Sequence, residues 1–313
     1  MEHPVSAADA SVPRAQLSIG VLVLNYNTWD IALRAIGAAV ELEYPRITEP
    51  GITEFVLFDD GSPSPAPDNI DGRIRVIRNQ ENRGFSKALI AAFAQMKSDI
   101  VVLFDSDAFP LVPFAAKVRE QFEADENLGQ IGFQSEDEKG SPTESLMKEP
   151  TQWSLILGQA LYARVPHRPI TPSNLCAIAG CMATRIKAYR NVGGIDGNFD
   201  MLDLDLDYSM RLRRNNWKIV ADASIRVFHV GGGTPQLQSK RILRFYKCRW
   251  YLLRKHGIIR SVALTRAIIL MRLRIEKLVL QLFGPYLFRN PEILADKLLG
   301  RQNLISYCRD NYR

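Results

Sequence analysis

The chain has 313 residues, of which 46% are hydrophobic and 24% charged. That is enough apolar material for a sizeable core, and it excludes a disordered chain. The formal net charge of +6 and a pI of about 9.1 favour anionic partners without choosing among nucleic acid, an anionic lipid surface and phosphorylated small molecules.

Residues 1–16 have neither a basic start nor an apolar run, so they read as a mobile tail rather than a signal peptide. Ile19–Leu24 is a continuous β-branched run, the pattern of a strand buried on both faces. Thr28–Val40 has helical spacing with Thr28 in the N-cap position. Glu54–Phe58 is a second strand, ending in Asp59-Asp60-Gly61 and a Pro/Ser-rich loop. Ile74–Ile77 is a third strand, Ser86–Met96 a helix and Ile100–Phe104 a fourth strand. This alternation predicts an α/β layer architecture with a mostly parallel central sheet flanked by helices. Residues 117–175 give no clear pattern and no chemistry. From Lys240 onward the chain is helical, basic and apolar together. The apolar stretches Val262–Met271 and Leu278–Phe288 are cut by Arg266 and by Gly284-Pro285, so neither reaches the roughly 18–20 residues of a spanning helix. Cys176, Cys181, Cys248 and Cys308 form no C-x-x-C pair and read as buried free thiols in a reducing cytoplasm, not as a zinc site or a disulfide framework.

Ligands of such sheets bind outside the carboxyl ends of the strands, and Asn25, Asp59 and Asp105 each stand just past one. Asp105-Ser106-Asp107 can converge on one hard cation because the chain curls as it leaves the strand; an Asx-rich turn would look the same. A second acidic run, Asp203, Asp205 and Asp207, alternates with leucines. That alternation predicts carboxylates on one side, apolar residues on the other and a helix from about Tyr208. Three such acids repel one another, and one with a raised pKa makes a general base. His229, before Gly231-Gly232-Gly233, is a candidate metal ligand or a structural histidine. No P-loop and no strand-linked G-x-G-x-x-G occurs.

The ordered set VLVLNYN, FVLFDDGS, NQENRGFSKAL, DIVVLFDSDA, CAIAGCMATRIKAYRNVGGIDGNFD, LDLDYSMRLRRNNWKI and FHVGGGT resembles glycosyltransferase family 2, and is most similar to its rhamnosyltransferase-like branch, over roughly residues 17–256. The resemblance implies an A-type glycosyltransferase fold and a nucleotide-diphosphate sugar donor, UDP- or dTDP-linked. By the same resemblance Asp59 meets the base, Asn82, Gly84 and Phe85 contact nucleotide and sugar, and Asp105 approaches the ribose. Asp107 and His229 bind Mn²⁺ or Mg²⁺, and Asp205 is the base. It further implies a single in-line displacement with inversion, onto a hydroxyl of a glycan or lipid-linked glycan, in cell-surface polysaccharide biosynthesis. Two departures stand out. Leu204 occupies the place of the family's Glu, with Asp203 one residue earlier, which leaves the base open among Asp203, Asp205 and Asp207. Asp105-Ser106-Asp107 also stands where many members of the branch carry Asn-Pro-Asp.

The expected organisation is a tail (1–16), a nucleotide-sugar-binding catalytic domain (17–235) and a helical basic extension (236–313). In the extension Lys240, Arg244, Lys247, Arg254 and Lys255 share one helical face, and Ile242, Tyr246, Trp250 and Leu253 another. That pattern suits a lipid-diphosphate acceptor or an anionic membrane surface, and equally a helix packed on the catalytic domain. Arg244, Lys247, Arg254 and Lys255, with Asp203 and Asp207, are therefore acceptor-side candidates, and the enzyme is expected in the cytoplasm, peripheral on the inner face of the membrane. Two other readings differ in class. A nucleic-acid-binding protein would explain the basic charge but not acidic strand ends that repel phosphates, so no nucleic acid is expected as a partner. A catalytically silent nucleotide-sugar-binding module would keep the donor site without the base. The oligomeric state stays open, a dimer included.

Overall fold

The structure is a computed structural model that describes residues 16–44, 52–143, 145–166, 168–230 and 237–312. The tail up to residue 15, the glycine triplet 231–233 and the expected boundary at 235 lie outside the described residues.

The first half follows the alternation read from the sequence: β1 (Ile19–Asn25), α1 (Trp29–Glu43), β2 (Ile52–Asp59), β3 (Ile74–Arg78), α2 (Phe85–Gln95) and β4 (Ile100–Phe104). Every residue of β1 is buried because both faces are covered. Leu22 and Leu24 pack with Ala88, Leu89 and Ala92 of α2. Ile19, Val21 and Val23 pack with Ala32, Ile36 and Ala39 of α1 on the other side. Thr28 precedes α1 but makes no side-chain capping bond. Its hydroxyl instead donates to Asn25 Oδ1 at 2.9 Å, tying the helix start to the end of β1.

The second half resolves the stretch that showed no pattern. There follow β5 (Ala108–Pro110), α3 (Ala115–Ala124), β6 (Leu128–Glu136), β7 (Leu146–Lys148), α4 (Trp153–Ile156), α5 (Gln159–Tyr162), β8 (Leu175–Ala177), β9 (Cys181–Arg185), α6 (Ile186–Asn191), α7 (Leu204–Arg214) and β10 (Lys218–His229). The central sheet runs β3-β2-β1-β4-β9-β6-β10-β5. Pairings β3/β2, β2/β1, β1/β4 and β6/β10 are parallel. β9 is antiparallel to both β4 and β6, and β5 to β10, so the sheet is mixed beyond β4. β7 and β8 form a separate antiparallel pair.

Three helices close the chain: α8 (Gln238–Lys255), α9 (Val262–Leu287) and α10 (Pro291–Asn311). α8 belongs to two cores at once. Cys248 and Leu252 join the α2 side of the sheet. Phe245, Tyr246, Trp250 and Leu253 face α9 and α10, where Trp250 stacks on Tyr312 at 3.6 Å between ring centroids. α9 continues through Gly284-Pro285 to Leu287, although the proline donates no helical bond there. A Cβ on Gly284 would meet Leu294 Cδ1 at 2.4 Å, so the missing side chain lets α10 fold back closely. The four cysteines are buried and free. No described helix is long and apolar enough to cross a membrane.

Candidate active site

The chain turns at Asp105-Ser106-Asp107 as it leaves β4, closed by a bond from Ala108 N–H to Asp105 C=O at 3.0 Å. The three-residue β5 then pairs with the end of β10, setting His229 opposite Ala108. That short ladder brings a histidine 122 positions away to the acidic turn: His229 Nε2 lies 3.2 Å from Asp107 Oδ1 and 3.8 Å from Asp105 Oδ2. One ligand atom from each of Asp105, Asp107 and His229 fits within 4.8 Å of the others. Asp105 thus lies with Asp107 and His229 in a group that could hold a divalent cation. A Cβ on Gly180 would come within 2.3 Å of the Asp105 carboxyl, and its φ of +81° is in the left-handed region, so glycine is required on both counts.

The electrostatics fit a divalent cation. Burial pushes the Asp105 carboxyl well above its usual range; His229 opposes this, and the charges of Asp107 and Asp205 add to it. The hydrogen bond to Asp107 is the main reason that the His229 imidazole is raised. Carboxylates this close stay ionised together when a cation sits between them. A donor set of two carboxylates and one imidazole suits Mn²⁺ readily, and Mg²⁺ with added water.

The three acids before the R-L-R segment diverge. α7 begins at Leu204, directly after Asp203, whose φ of 65° makes the turn. The strand-like alternation of the sequence is thus overridden by a helix in which residues two apart point to nearly opposite sides. Asp203 is 7% exposed and gripped by Arg249 of α8 through bonds of 2.7 and 2.8 Å. Asp207 is fully buried against Arg211, Lys255 and His256, each at 2.8 Å. Burial alone would raise its carboxyl, but these three partners hold it below the usual range. Asp203 and Asp207 are consequently placed as anchors between α7 and α8, not as groups open to an acceptor. Leu204 is buried in the core on the α2 side of the sheet.

Asp205 differs from both neighbours. Among the described residues it has no cationic partner; it accepts from Leu206 N–H at 2.9 Å and Ala179 N–H at 3.2 Å. Burial, followed by the charge of Asp203, pushes its carboxyl up to about 6, and its own charge reaches Asp105.

On the other side of the strand ends, Asn25 and Asp59 lie side by side in the β1/β2 register. Asp59 is fully buried. It accepts from Asn25 Nδ2 at 2.7 Å, Ser62 N–H at 3.0 Å and the Ser62 hydroxyl, with Arg78 Nε at 3.2 Å. These bonds make Asp59 the organiser of the turn that follows β2. Asp60 was not singled out from the sequence, yet it does comparable work. It accepts from Asn79 Nδ2, Arg83 N–H and Gly84 N–H at 2.9–3.1 Å, fixing the 79–85 loop. Asn82 Oδ1 also accepts from Gly84 N–H at 2.9 Å, and Phe85 opens α2. The doubled acid of Asp59-Asp60 was the available signal.

The basic face of α8 is largely spoken for. Arg244 Nε pairs with Asp200 at 2.9 Å, and Lys255 with Asp196 at 2.6 Å as well as with Asp207. Lys247 lies 5.2 Å from the centre of the Tyr307 ring, and Arg254 is exposed. Arg249, Lys255 and His256 meet Asp203 and Asp207, the two acids that flank Asp205.

Solved structures share this architecture. A mannosyltransferase of Pyrobaculum calidifontis, determined with GDP-Man and Mn²⁺, aligns over 94% of this chain and 88% of its own, with a TM-score of 0.54 at 15% identity. GalNAc-T7, determined with UDP, GalNAc and Mn²⁺, aligns over 76% of this chain and 50% of its own, with a TM-score of 0.53 at 15% identity. The fold is thus that of the A-type glycosyltransferases. The sequence profile described as Glycosyl transferase family 2 matches residues 20–193, more than half of the chain, and the protein belongs to that family. It is also 31% identical over 101 residues to the succinoglycan biosynthesis protein ExoU of Rhizobium meliloti (strain 1021). That match covers 30% of this chain and 28% of the relative.

Proposed function

We propose that the protein transfers a sugar from a nucleotide-diphosphate donor, UDP- or dTDP-linked, to a hydroxyl of a glycan or lipid-linked glycan acceptor, with inversion. Polysaccharide biosynthesis is the setting suggested by the partial likeness to ExoU. The observation that carries the reading is the pairing of Asp205, uncompensated and raised to about 6, with the Asp105–Asp107–His229 group whose field it shares.

Asp105, Asp107 and His229 would hold Mn²⁺ or Mg²⁺, which when bound offsets charge on a diphosphate leaving group. The turn Asp59–Ser62 and the loop 79–85, locked to each other through Asp60, shape the nucleoside side with Asn25, Asn82, Gly84 and Phe85. Asp205 takes the proton of the acceptor hydroxyl as its oxygen attacks the anomeric carbon from the face opposite the diphosphate. A carboxyl titrating near 6 is ionised at neutral pH yet more basic than an ordinary aspartate, which suits that step. No side chain need bond covalently to the sugar, so configuration inverts. A catalytically silent module is disfavoured by the same residue, because its carboxyl is raised and, among the described residues, no cation neutralises it.

The test is release of nucleoside diphosphate from a panel of UDP- and dTDP-sugars with Mn²⁺, followed with the wild type and with Asp205→Asn. Turnover by the wild type that falls at least about a hundredfold in the variant, with donor affinity kept, supports the assignment. Near-normal turnover in the variant removes it.

A further inference from the structure

The C-terminal segment is charged unlike the rest of the chain. Residues 237–313 carry 17 Lys and Arg against 4 Asp and Glu, whereas residues 1–236 carry 23 against 30. The same segment exposes an apolar stripe. Leu264, Met271, Ile275, Leu278, Leu282 and Tyr286 recur at helical spacing along one face of α9, each between 54% and 88% exposed. Over about 33 Å of helix, at 1.5 Å per residue, this face has no covering element among the described residues. Phe283 and Leu287 widen the stripe at its far end, where Gly284 closes the turn towards α10. An exposed stripe this long marks an interaction surface, because single exposed apolar residues are ordinary and a continuous row is not.

Beside the stripe lies a cavity of about 390 Å³ between α5, α8, α9 and α10, lined by Arg241, Arg272, Lys297 and Arg301 among others. Its two carboxylates are already engaged. Glu276 pairs with Arg272 and Arg301, and Asp296 accepts from Ser239. Among the described residues Arg241 and Lys297 have no carboxylate partner, and Arg272 Nε is buried with no hydrogen bond. The cavity thus offers cationic donors in excess, next to apolar surface.

We propose that the exposed face of α9, with this cationic cavity at its flank, seats the protein on an anionic phospholipid bilayer. Apolar side chains enter the acyl boundary, while Arg241 and Lys297 meet headgroup phosphates. Charge decides against a second copy as the occupant: pairing this face with itself would bring two strongly basic segments together, whereas an anionic surface is complementary to both features. The surface differs from the basic face of α8, where Arg244 and Lys255 are tied to Asp196, Asp200 and Asp207. It is also separate from the transfer chemistry, so its test is read without donor.

The experiment is flotation of the full chain with vesicles of phosphatidylcholine, with and without phosphatidylglycerol. The wild type should float with the anionic vesicles and far less with the neutral ones. Leu278→Gln/Leu282→Gln/Tyr286→Gln should lose at least about tenfold in partitioning, and Arg241→Gln/Lys297→Gln should lose the preference for anionic lipid. Unchanged circular dichroism and melting temperature verify that the variants fold. Equal binding to neutral and anionic vesicles, wild-type binding by the triple variant, or a wild-type dimer that the triple variant converts to monomer would each overturn the proposal.

Discussion

At the scale of single residues, the site turns on carboxylates in different surroundings. Asp205 has the raised pKa of a recessed, unpaired acid, and two consequences follow with definite sign. Activity should be full above about pH 6 and fall as pH drops through that value, because the protonated acid cannot accept the hydroxyl proton. Between the ordinary aspartate range and about 6, the folded state binds more protons at this position than the unfolded state does, so the contribution of Asp205 to stability declines as pH rises. Asp205→Asn should therefore melt at a higher temperature than wild type at pH 7.5 while losing turnover, which thermal denaturation and the rate assay check together. Gly180→Ala tests the neighbouring contact. The added Cβ would press on the Asp105 carboxyl, so Mn²⁺-dependent donor binding should be lost while the melting temperature changes less than binding does. The acidic turn at 105–107 and His229 were legible as separate candidates from strand-end position and residue type. Their convergence was implied by the family resemblance and by no local pattern, because it depends on a three-residue ladder between β5 and β10.

Among elements, the joint between α7 and α8 matters most. Arg249 fully engages the buried carboxylate of Asp203, two residues before Asp205. Arg249→Met strands that charge, and should cost about 3–5 kcal/mol in denaturant unfolding. Adding Asp203→Asn should recover much of the loss, because the pair is then removed together. If the joint positions the base, Arg249→Met should also lower kcat more than it changes KM for donor. The strands of the first half were readable because layers on both faces demand continuous apolar runs, as in β1. The start of α7 was not readable. Asp-Leu-Asp-Leu-Asp has the period of a strand, and only the left-handed turn at Asp203 starts the helix there. The function of α8 was half readable: its two faces were evident, but the acids that its cations meet lie 40–60 residues earlier, and of these only Asp203 and Asp207 drew notice, as acceptor-side candidates.

Across the whole molecule, charge is divided by task. Residues 1–236 carry an acidic excess, part of it gathered at the strand ends, and the C-terminal helices carry the basic excess. The net value of +6 hides both, which is why composition alone pointed to anionic partners without locating them. The family profile matches residues 20–193, whereas Asp205, His229 and the C-terminal helices lie beyond that span. The account therefore stands or falls on whether these distant parts act as one metal-dependent donor site. Calorimetric titration of UDP and dTDP into the wild type and into Asp107→Ala, each with and without Mn²⁺, tests this most directly. The predicted result is nucleotide binding by the wild type that requires Mn²⁺ and disappears in Asp107→Ala, with the variant's melting temperature retained. Binding of equal strength without Mn²⁺, or metal-dependent binding left intact in Asp107→Ala, would contradict it.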